Sequence, residues 1–267
     1  MLLAIDIGNT NVKVGVFQGE DLLATWRLAT DARKTADEYG VLLWALFDQR
    51  GLRHQAVNGV CMSSTVPALT TIFRDIGRRY FGREPIVTGP DVNTGIVIAT
   101  DNPREVGPDR IVNALAVSRR YRLPAVSIDI GTATNFDVVS EHGELLGCVI
   151  APGPATAMEG LVARAARLFT VELEAPPFVI GKNTVHSVRA GVVYGYVGLV
   201  EGLVARIARE LGAEPFVVAT GGLAGVVVQH TDIVHVAEPA LTLHGLRYLY
   251  ELNAPVGGAA GAASARA

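Results

Sequence analysis

The feature that most constrains the fold is a short motif that occurs twice, half a chain apart. Residues Ile5–Gly8 and Ile128–Gly131 both read IDIG, at an offset of 129 − 6 = 123 residues, and hydroxyl or amide residues follow each copy. Alternating apolar residues flank each turn, a pattern typical of two strands joined by a tight connection. One copy alone would fit an ordinary β-hairpin with a glycine turn and a capping aspartate. Two copies indicate a duplicated fold whose hairpins face each other across a cleft, each bringing one carboxylate.

The first hairpin has the composition of a phosphate site. An ionised carboxylate such as Asp6, inside an apolar strand, loses hydration energy unless a cation or several donors meet it. Asp6 is therefore expected to hold Mg²⁺ or a similar divalent ion, through water. The turn that begins at Gly8 offers backbone N–H groups to phosphate oxygens, and Lys13 adds a positive charge.

Composition excludes several classes of protein. A length of 267 residues suits one large domain or two moderate ones, and 49% hydrophobic residues can form a full core. A net charge of −3 without a basic block disfavours nucleic acid as a partner. The 2 cysteines, Cys61 and Cys148, form no CxxC pair, so zinc is not expected. The chain begins without a basic, apolar leader, and no 18-residue apolar stretch is evident, which predicts a cytoplasmic protein without a membrane span.

The pattern of elements predicts the order βββαβα in the first half. Thr35 and Glu38 predict a capping box for a helix over 36–49, with Val41, Leu42, Ala45 and Leu46 as its apolar stripe. The hydroxyl cluster 63–65 is interpreted as the N-cap of a helix over 69–80. The other expected strands of this half are 21–28, 56–62, 86–87 and 96–99, followed by a helix from Asp109 to Tyr121. In the second half, strands are expected from Ala125, Phe136 and Leu145 and over 216–220, with helices over 156–167, 191–212 and 242–252.

The predicted long helix carries glycines on one face. Gly195, Gly198 and Gly202 recur at three and four residues, so they share a side on which another backbone can approach closely. This face fits either tight packing within the domain or a helix–helix dimer interface.

The paired hairpins and three further motifs resemble those of known protein families. The paired hairpins resemble the phosphate-binding hairpins of the superfamily that contains acetate and sugar kinases, Hsp70 and actin. NPREVGPDRIVNA (102–114), GKNTVHSVRAGVVYGYVGLVEG (181–202) and ATGGLA (219–224) resemble the type III pantothenate kinases, and the likeness runs from Leu2 to about Asn253. It implies an α/β fold of two actin-like (ribonuclease H-like) domains, each a mixed sheet flanked by helices, with a cleft between them. The domains would span 1–118 and 119–254, and the Gly/Ala-rich segment 255–267 is predicted to be a disordered tail.

The resemblance also implies an activity. It is the ATP-dependent phosphorylation of pantothenate to 4′-phosphopantothenate, the first step of coenzyme A biosynthesis, with Mg²⁺ and with K⁺ or NH₄⁺. The resemblance also implies a homodimer, which favours the dimer interpretation of the glycine face.

The substrate residues implied by the resemblance lie in two motifs. Asp109 would be the general base that takes the proton of the substrate hydroxyl, and Arg110 would bind the pantothenate carboxylate, beside Gly107 and Pro108. By residue type alone, the favoured interpretation of Asp109 is an ordinary carboxylate at a helix start, and the resemblance reverses this preference. Thr184 would line the pantothenate pocket near the dimer interface. The chain departs from the family at Thr100, where a tyrosine that contacts pantothenate is usual.

The resemblance assigns the nucleotide and cation residues as well. Asp129 would bind the monovalent cation, and Thr132 would contact ATP. The complete ATP set comprises Asp6, Ile7, Gly8, Asn9, Thr10, Asn11, Val12, Lys13, Thr132, Gly221 and Gly222.

Other classes of protein are alternatives to a pantothenate kinase. An actin-like or Hsp70-like assembly protein would be longer, and a sugar kinase with structural zinc would need a cysteine-rich motif. A regulatory or accessory protein that keeps the nucleotide-binding fold without catalysis stays open. The loss of Asp6, Asp109 or Asp129 would indicate such a protein, and all three are present.

Overall fold

The structure is a computed structural model that describes residues 1–254, so the predicted tail 255–267 lies outside the described residues. The strands are β1 (Leu2–Ile7), β2 (Asn11–Gln18), β3 (Asp21–Ala29), β4 (Gly59–Ser64), β5 (Ile86–Val87), β6 (Ala125–Ile130), β7 (Ala133–Val139), β8 (Leu145–Pro152), β9 (Phe216–Thr220) and β10 (Val236–Ala237). The helices are α1 (Ala36–Gln49), α2 (Pro67–Phe81), α3 (Pro108–Arg120), α4 (Pro154–Arg164), α5 (Thr184–Leu211), α6 (Ala224–Val228) and α7 (Leu241–Asn253).

The strands form two five-stranded mixed sheets of the same design. The first has the order β3-β2-β1-β4-β5 and the second the order β10-β9-β6-β7-β8. In each, the hairpin strands pair antiparallel, whereas the strand that follows a crossover pairs parallel to the central one: β4 to β1, and β9 to β6. The predicted duplication and the predicted mixed sheets are therefore confirmed.

Two compact units contain these sheets. One comprises residues 1–95, 104–116 and the described residues from Thr242 onward; the other comprises 96–103 and 117–241. This grouping differs from the predicted division after residue 118, because α7 belongs with the first sheet. Its side chains Leu243, Leu246 and Leu249 pack in one core with residues of β1 and α3.

In the first unit, helices cover both faces of the sheet. Leu3, Ile5 and Ile7 face the core formed with α1 and α2. Leu2 and Ala4 face the core formed with α3 and α7. Since side chains alternate along a strand, Asp6 lies on the same face as Leu2 and Ala4. The helix that begins beside Asp109 thus packs over the face on which Asp6 lies.

In the second unit, the two faces of the sheet differ in polarity. One face, with Val126, Ile128 and Ile130, packs in a core with α4, α5 and α6. The opposite face of β6 carries Ser127 and Asp129, because they alternate with those apolar residues.

Several local predictions need correction. The capping box of Thr35 with Glu38 is confirmed, but the apolar stripe of α1 is wrong: Tyr39, Leu43 and Phe47 are buried, whereas Val41 is 60% exposed. Both sets have helical spacing, and the larger aromatic residues occupy the core.

The prediction that the hydroxyl cluster 63–65 forms the N-cap of α2 is also wrong. The N-cap of α2 is Val66 and has no side-chain cap hydrogen bond. Segment 96–99 forms one isolated bridge, Ile98 to Leu145, instead of a strand.

The long helix α5 has 28 residues and begins earlier than predicted. By length and composition alone it could cross a membrane, so the expectation that no stretch has this character was wrong. Its Val193, Val200 and Val204 are buried, and Val200 and Val204 pack in the core of the second unit. Burial within the second unit therefore accounts for part of the apolar composition of α5.

Candidate active site

The first hairpin has a turn that is fixed from two sides. The Gly8 N–H donates to the Asn11 carbonyl at 3.0 Å, and the Thr30 hydroxyl donates to the Gly8 carbonyl at 2.6 Å. Asn9 and Thr10 lie exposed at the tip. The Gly8 N–H is thus used within the turn, so it is not one of the donors that the sequence predicts for phosphate oxygens.

The carboxylate of Asp6 lies between residues of both neighbouring strands. Lys13 lies opposite it on β2 and Ser63 lies opposite it on β4. The buried Ser63 hydroxyl donates to Asp6 Oδ1 at 2.7 Å, and Lys13 Nζ is 3.8 Å from Asp6 Oδ2. Both contacts stabilise the ionised form and fix its orientation. The sequence interpretation missed this contact of Ser63. The hydroxyl cluster at the end of a predicted strand was the only signal, because the pairing of that strand with β1 is known from the structure alone.

The loop before α3 is shaped around Asp109. A Cβ atom at Gly107 would lie 2.7 Å from Asp109 Oδ1, so the glycine leaves room for the carboxylate. The Arg110 N–H and the Ile111 N–H both donate to the Gly107 carbonyl, at 3.1 and 3.3 Å. Asp109 and Arg110 are both partly exposed in the first turn of α3.

The second hairpin is held by the start of α4. The Gly153 N–H and the Thr156 hydroxyl donate to the Thr132 carbonyl at 2.8 and 2.7 Å. A Cβ atom at Gly153 would lie 1.9 Å from the Gly131 carbonyl oxygen, so only glycine permits this approach. The contacts position Thr132, the predicted ATP residue, at an exposed turn.

The glycine pair after β9 approaches the same hairpin. Gly221 has φ +98°, a left-handed conformation that favours glycine. A Cβ atom there would lie 2.5 Å from Asp129 Oδ1 and 2.4 Å from the Ile130 carbonyl oxygen. The structure therefore brings Asp129 and Gly221 together, with Gly222 next in the chain.

An open pocket of about 840 Å³ lies between α4 and the start of α5. Its walls include Leu161, Val188 and Val192, and Lys182 and Thr184 supply polar groups. Thr184 is the first residue of α5, which Asn183 caps by accepting from the His186 N–H at 2.8 Å. This pocket belongs to the second unit.

The remaining predicted residue is Thr100, also in the second unit. Its Oγ1 is buried and has no hydrogen-bond partner among the described residues. The predicted site residues are thus divided: Asp6–Lys13 and Gly107–Arg110 belong to the first unit, and Thr100, Asp129, Thr132, Thr184 and the glycine pair to the second.

Comparison with known proteins identifies the family. Residues 2–206 match the family described as type III pantothenate kinase. The type III pantothenate kinase of Moorella thermoacetica is 50% identical over 253 residues, which cover 95% of this chain and 100% of that protein. That of Myxococcus xanthus is also 50% identical over 253 residues, 95% of this chain and 99% of that protein. The chain belongs to the type III pantothenate kinase family.

Solved structures of low sequence identity to this chain share the fold. A protein described as a 2-dehydro-3-deoxygalactonokinase from Sinorhizobium meliloti has a TM-score of 0.57 at 12% identity, covering 96% of this chain and 98% of its own. A Campylobacter jejuni protein described as a Baf family transcriptional activator has a TM-score of 0.59 at 20% identity, covering 93% and 97%. At such identities the likeness concerns the fold alone. It confirms the fold class predicted for this type III pantothenate kinase family member.

Proposed function

We propose that the protein transfers the γ-phosphoryl group of ATP to the hydroxyl of pantothenate, giving ADP and 4′-phosphopantothenate, the first step of coenzyme A biosynthesis, in the cytoplasm. The observation that carries the proposal is 50% identity to a type III pantothenate kinase along that protein's entire length. The alternative of a non-catalytic accessory protein is not favoured, because Asp6, Asp109 and Asp129 are all retained.

Each residue has a defined part in the proposed reaction. The pantothenate hydroxyl oxygen forms a bond to the γ-phosphorus while the bond to the β,γ-bridging oxygen breaks, and ADP leaves with that electron pair. Asp109 accepts the hydroxyl proton, as a partly exposed carboxylate in the first turn of α3 can. Arg110 binds the pantothenate carboxylate with its planar donors, which positions the hydroxyl at the other end. Thr184 completes the pocket wall, and Thr100 occupies the position of the usual tyrosine.

The nucleotide and its divalent ion would be held by the first hairpin. Asp6–Lys13 would contact the phosphates, and Thr132, Gly221 and Gly222 would also contact the nucleotide. Mg²⁺ supplies neutralisation of phosphate charge when it is bound. The donor set fits it, because Asp6 is an oriented carboxylate and a single carboxylate with waters and phosphates is the usual Mg²⁺ environment. A monovalent ion, K⁺ or NH₄⁺, would bind at Asp129.

A homodimer is part of the proposal. Cβ atoms at Gly191, Gly195 and Gly198 of α5 would meet nothing within 4 Å, so this glycine face is open in the single chain. Next to α5 in sequence, Phe178, Val179 and Ile180 are 74%, 67% and 82% exposed. A second copy packed against this face would bury apolar surface that one chain leaves in water. Gly191 also lines the pocket of Thr184, so the same packing would complete the pantothenate site.

The test is formation of ADP and of a phosphorylated product from pantothenate by the purified protein. With ATP, Mg²⁺ and K⁺ supplied, we expect product whose mass exceeds that of pantothenate by one phosphoryl group. ATP turnover that does not depend on pantothenate, or no product under these conditions, would contradict the proposal. Asp109→Asn protein, prepared in the same way, controls for a contaminating kinase.

A further inference from the structure

The two sheets place equivalent residues around their two carboxylates. Asp6 is on the central strand β1, and Asp129 is on the central strand β6. The antiparallel partner opposite Asp6 is Lys13, and the one opposite Asp129 is Asn135. The parallel partners are Ser63 and Thr220. Directly opposite residues share a face of the sheet, so each carboxylate has two defined neighbours.

In the first sheet, protein groups interact with both carboxylate oxygens. The Ser63 hydroxyl donates to one oxygen at 2.7 Å, and the Lys13 ammonium lies 3.8 Å from the other. A single positive charge supplied by the chain thus balances the single negative charge of Asp6.

In the second sheet, the corresponding positions lack that charge. Asn135 has a neutral amide where Lys13 has an ammonium. Within the described part of the second unit, no lysine or arginine forms an ion pair with Asp129. Gly221 brings backbone against Asp129 Oδ1, where a side chain would not fit. A partly buried carboxylate in such surroundings favours a cation from solution.

Thr220 gives the second observation. Its side chain is 1% exposed, and its Oγ1 has no hydrogen-bond partner within the described residues, in contrast to the Ser63 hydroxyl. A buried hydroxyl without a protein partner is unfavourable, so this position suits a hydroxyl that contacts a bound ligand. It lies opposite Asp129 in the register of β6 and β9.

We propose that the Thr220 hydroxyl is, with the Asp129 carboxylate, an oxygen ligand of the monovalent cation. This ion takes the electrostatic place that the Lys13 ammonium has in the first sheet. The inference rests on the proposed function, which includes a K⁺ or NH₄⁺ requirement, and it adds the ligand Thr220 and the reason for a single charge.

The experiment compares four variants with the wild type. Thr220→Val removes the hydroxyl and keeps the shape, and Thr220→Ser restores a hydroxyl. Asn135→Lys supplies a tethered ammonium beside Asp129. Thr134→Val is the matched control, since Thr134 is also a buried threonine whose Oγ1 has no partner among the described residues, but as the neighbour of Asn135 it lies on the opposite face of β7.

Two readouts are measured as KCl replaces tetramethylammonium chloride at constant ionic strength. One is the melting temperature without substrates, and the other is the rate of ADP formation. We expect K⁺ to raise both for the wild type, Thr220→Ser and Thr134→Val. Thr220→Val should need about tenfold more K⁺ or more, as for loss of a metal-site partner. Asn135→Lys should be active without K⁺.

The outcomes separate the two proposals. A K⁺ response of Thr220→Val equal to that of the wild type would overturn the inference, and Thr220→Ala decides in the same way if the valine variant does not fold. A wild type that makes product but ignores K⁺ would also overturn it and leave the kinase proposal intact. Absence of product from the wild type would overturn the proposed function, whereas the K⁺-dependent melting temperature would still test the cation ligand.

Discussion

Among single residues, Asp109 has two interpretations, general base and helix-start charge, that predict very different effects of mutation. If it is the general base, Asp109→Asn should lower kcat by about 10²- to 10⁴-fold and leave ATP binding near normal. If it is only a helix-start charge, the same change should lower the free energy of unfolding by about 0.3–1 kcal/mol with little effect on turnover. Measuring kcat, nucleotide affinity and melting temperature on one preparation distinguishes these. Near-normal turnover with a lowered melting temperature would rule out the catalytic role.

Ser63 acts through Asp6, so its removal should affect the nucleotide site. A hydrogen bond to a charged group contributes about 1.5–3 kcal/mol, and Ser63→Ala should therefore weaken binding of Mg²⁺-nucleotide by about tenfold or more. Calorimetric titration with a non-hydrolysable ATP analogue measures this. Ser64→Ala is the control, because the Ser64 hydroxyl contacts Val66 and Thr70 instead of Asp6. Equal nucleotide affinity of the two variants would contradict the role of Ser63.

At the scale of structural elements, some features of the fold could be predicted from the sequence and others could not. The capping box fixed the start of α1 correctly, because the signal is local. The residue opposite Asp129 could not be predicted from the sequence. The offset of 123 residues aligns Lys13 with Phe136, whereas the structure places Asn135 opposite Asp129. The second turn is one residue shorter, and a shift of one residue exchanges the faces of a strand. Ser63 required knowledge of the β1–β4 pairing, which is not a local property.

The contact between α7 and α3 predicts an effect on catalysis from a distance. A Cβ atom at Gly245 would lie 1.9 Å from the Val112 carbonyl oxygen, in the same helix as Asp109. Gly245→Ala must therefore displace one helix, and we expect a loss of stability of about 1–3 kcal/mol together with a fall in kcat.

Two controls separate displacement from destabilisation in this test. Leu246→Ala removes a buried side chain of the same helix without a clash, so it should destabilise by about 2–5 kcal/mol and keep kcat of the folded protein. Gly160→Ala, in open space on α4, should be neutral or stabilising. If Gly245→Ala and Leu246→Ala lower kcat equally, the contact does not position Asp109.

At the scale of the whole molecule, the open glycine face of α5 predicts a dimer that can be broken without harming the fold. A Cβ atom at Gly195 meets nothing within 4 Å in the chain, and leucine favours helix over glycine by about 1 kcal/mol or less. Gly195→Leu should thus fold, yet its side chain would hold a second α5 away. We expect light scattering to report a dimer for the wild type and a monomer for Gly195→Leu at micromolar concentration.

Gly225→Leu is the control, because Gly225 on α6 is also exposed with open space around its Cβ position. Since Gly191 lines the pocket of Thr184, the monomer should also have a raised KM for pantothenate and a near-normal KM for ATP. A Gly195→Leu protein that stays dimeric, or a fully active monomeric wild type, would show that α5 is not the interface.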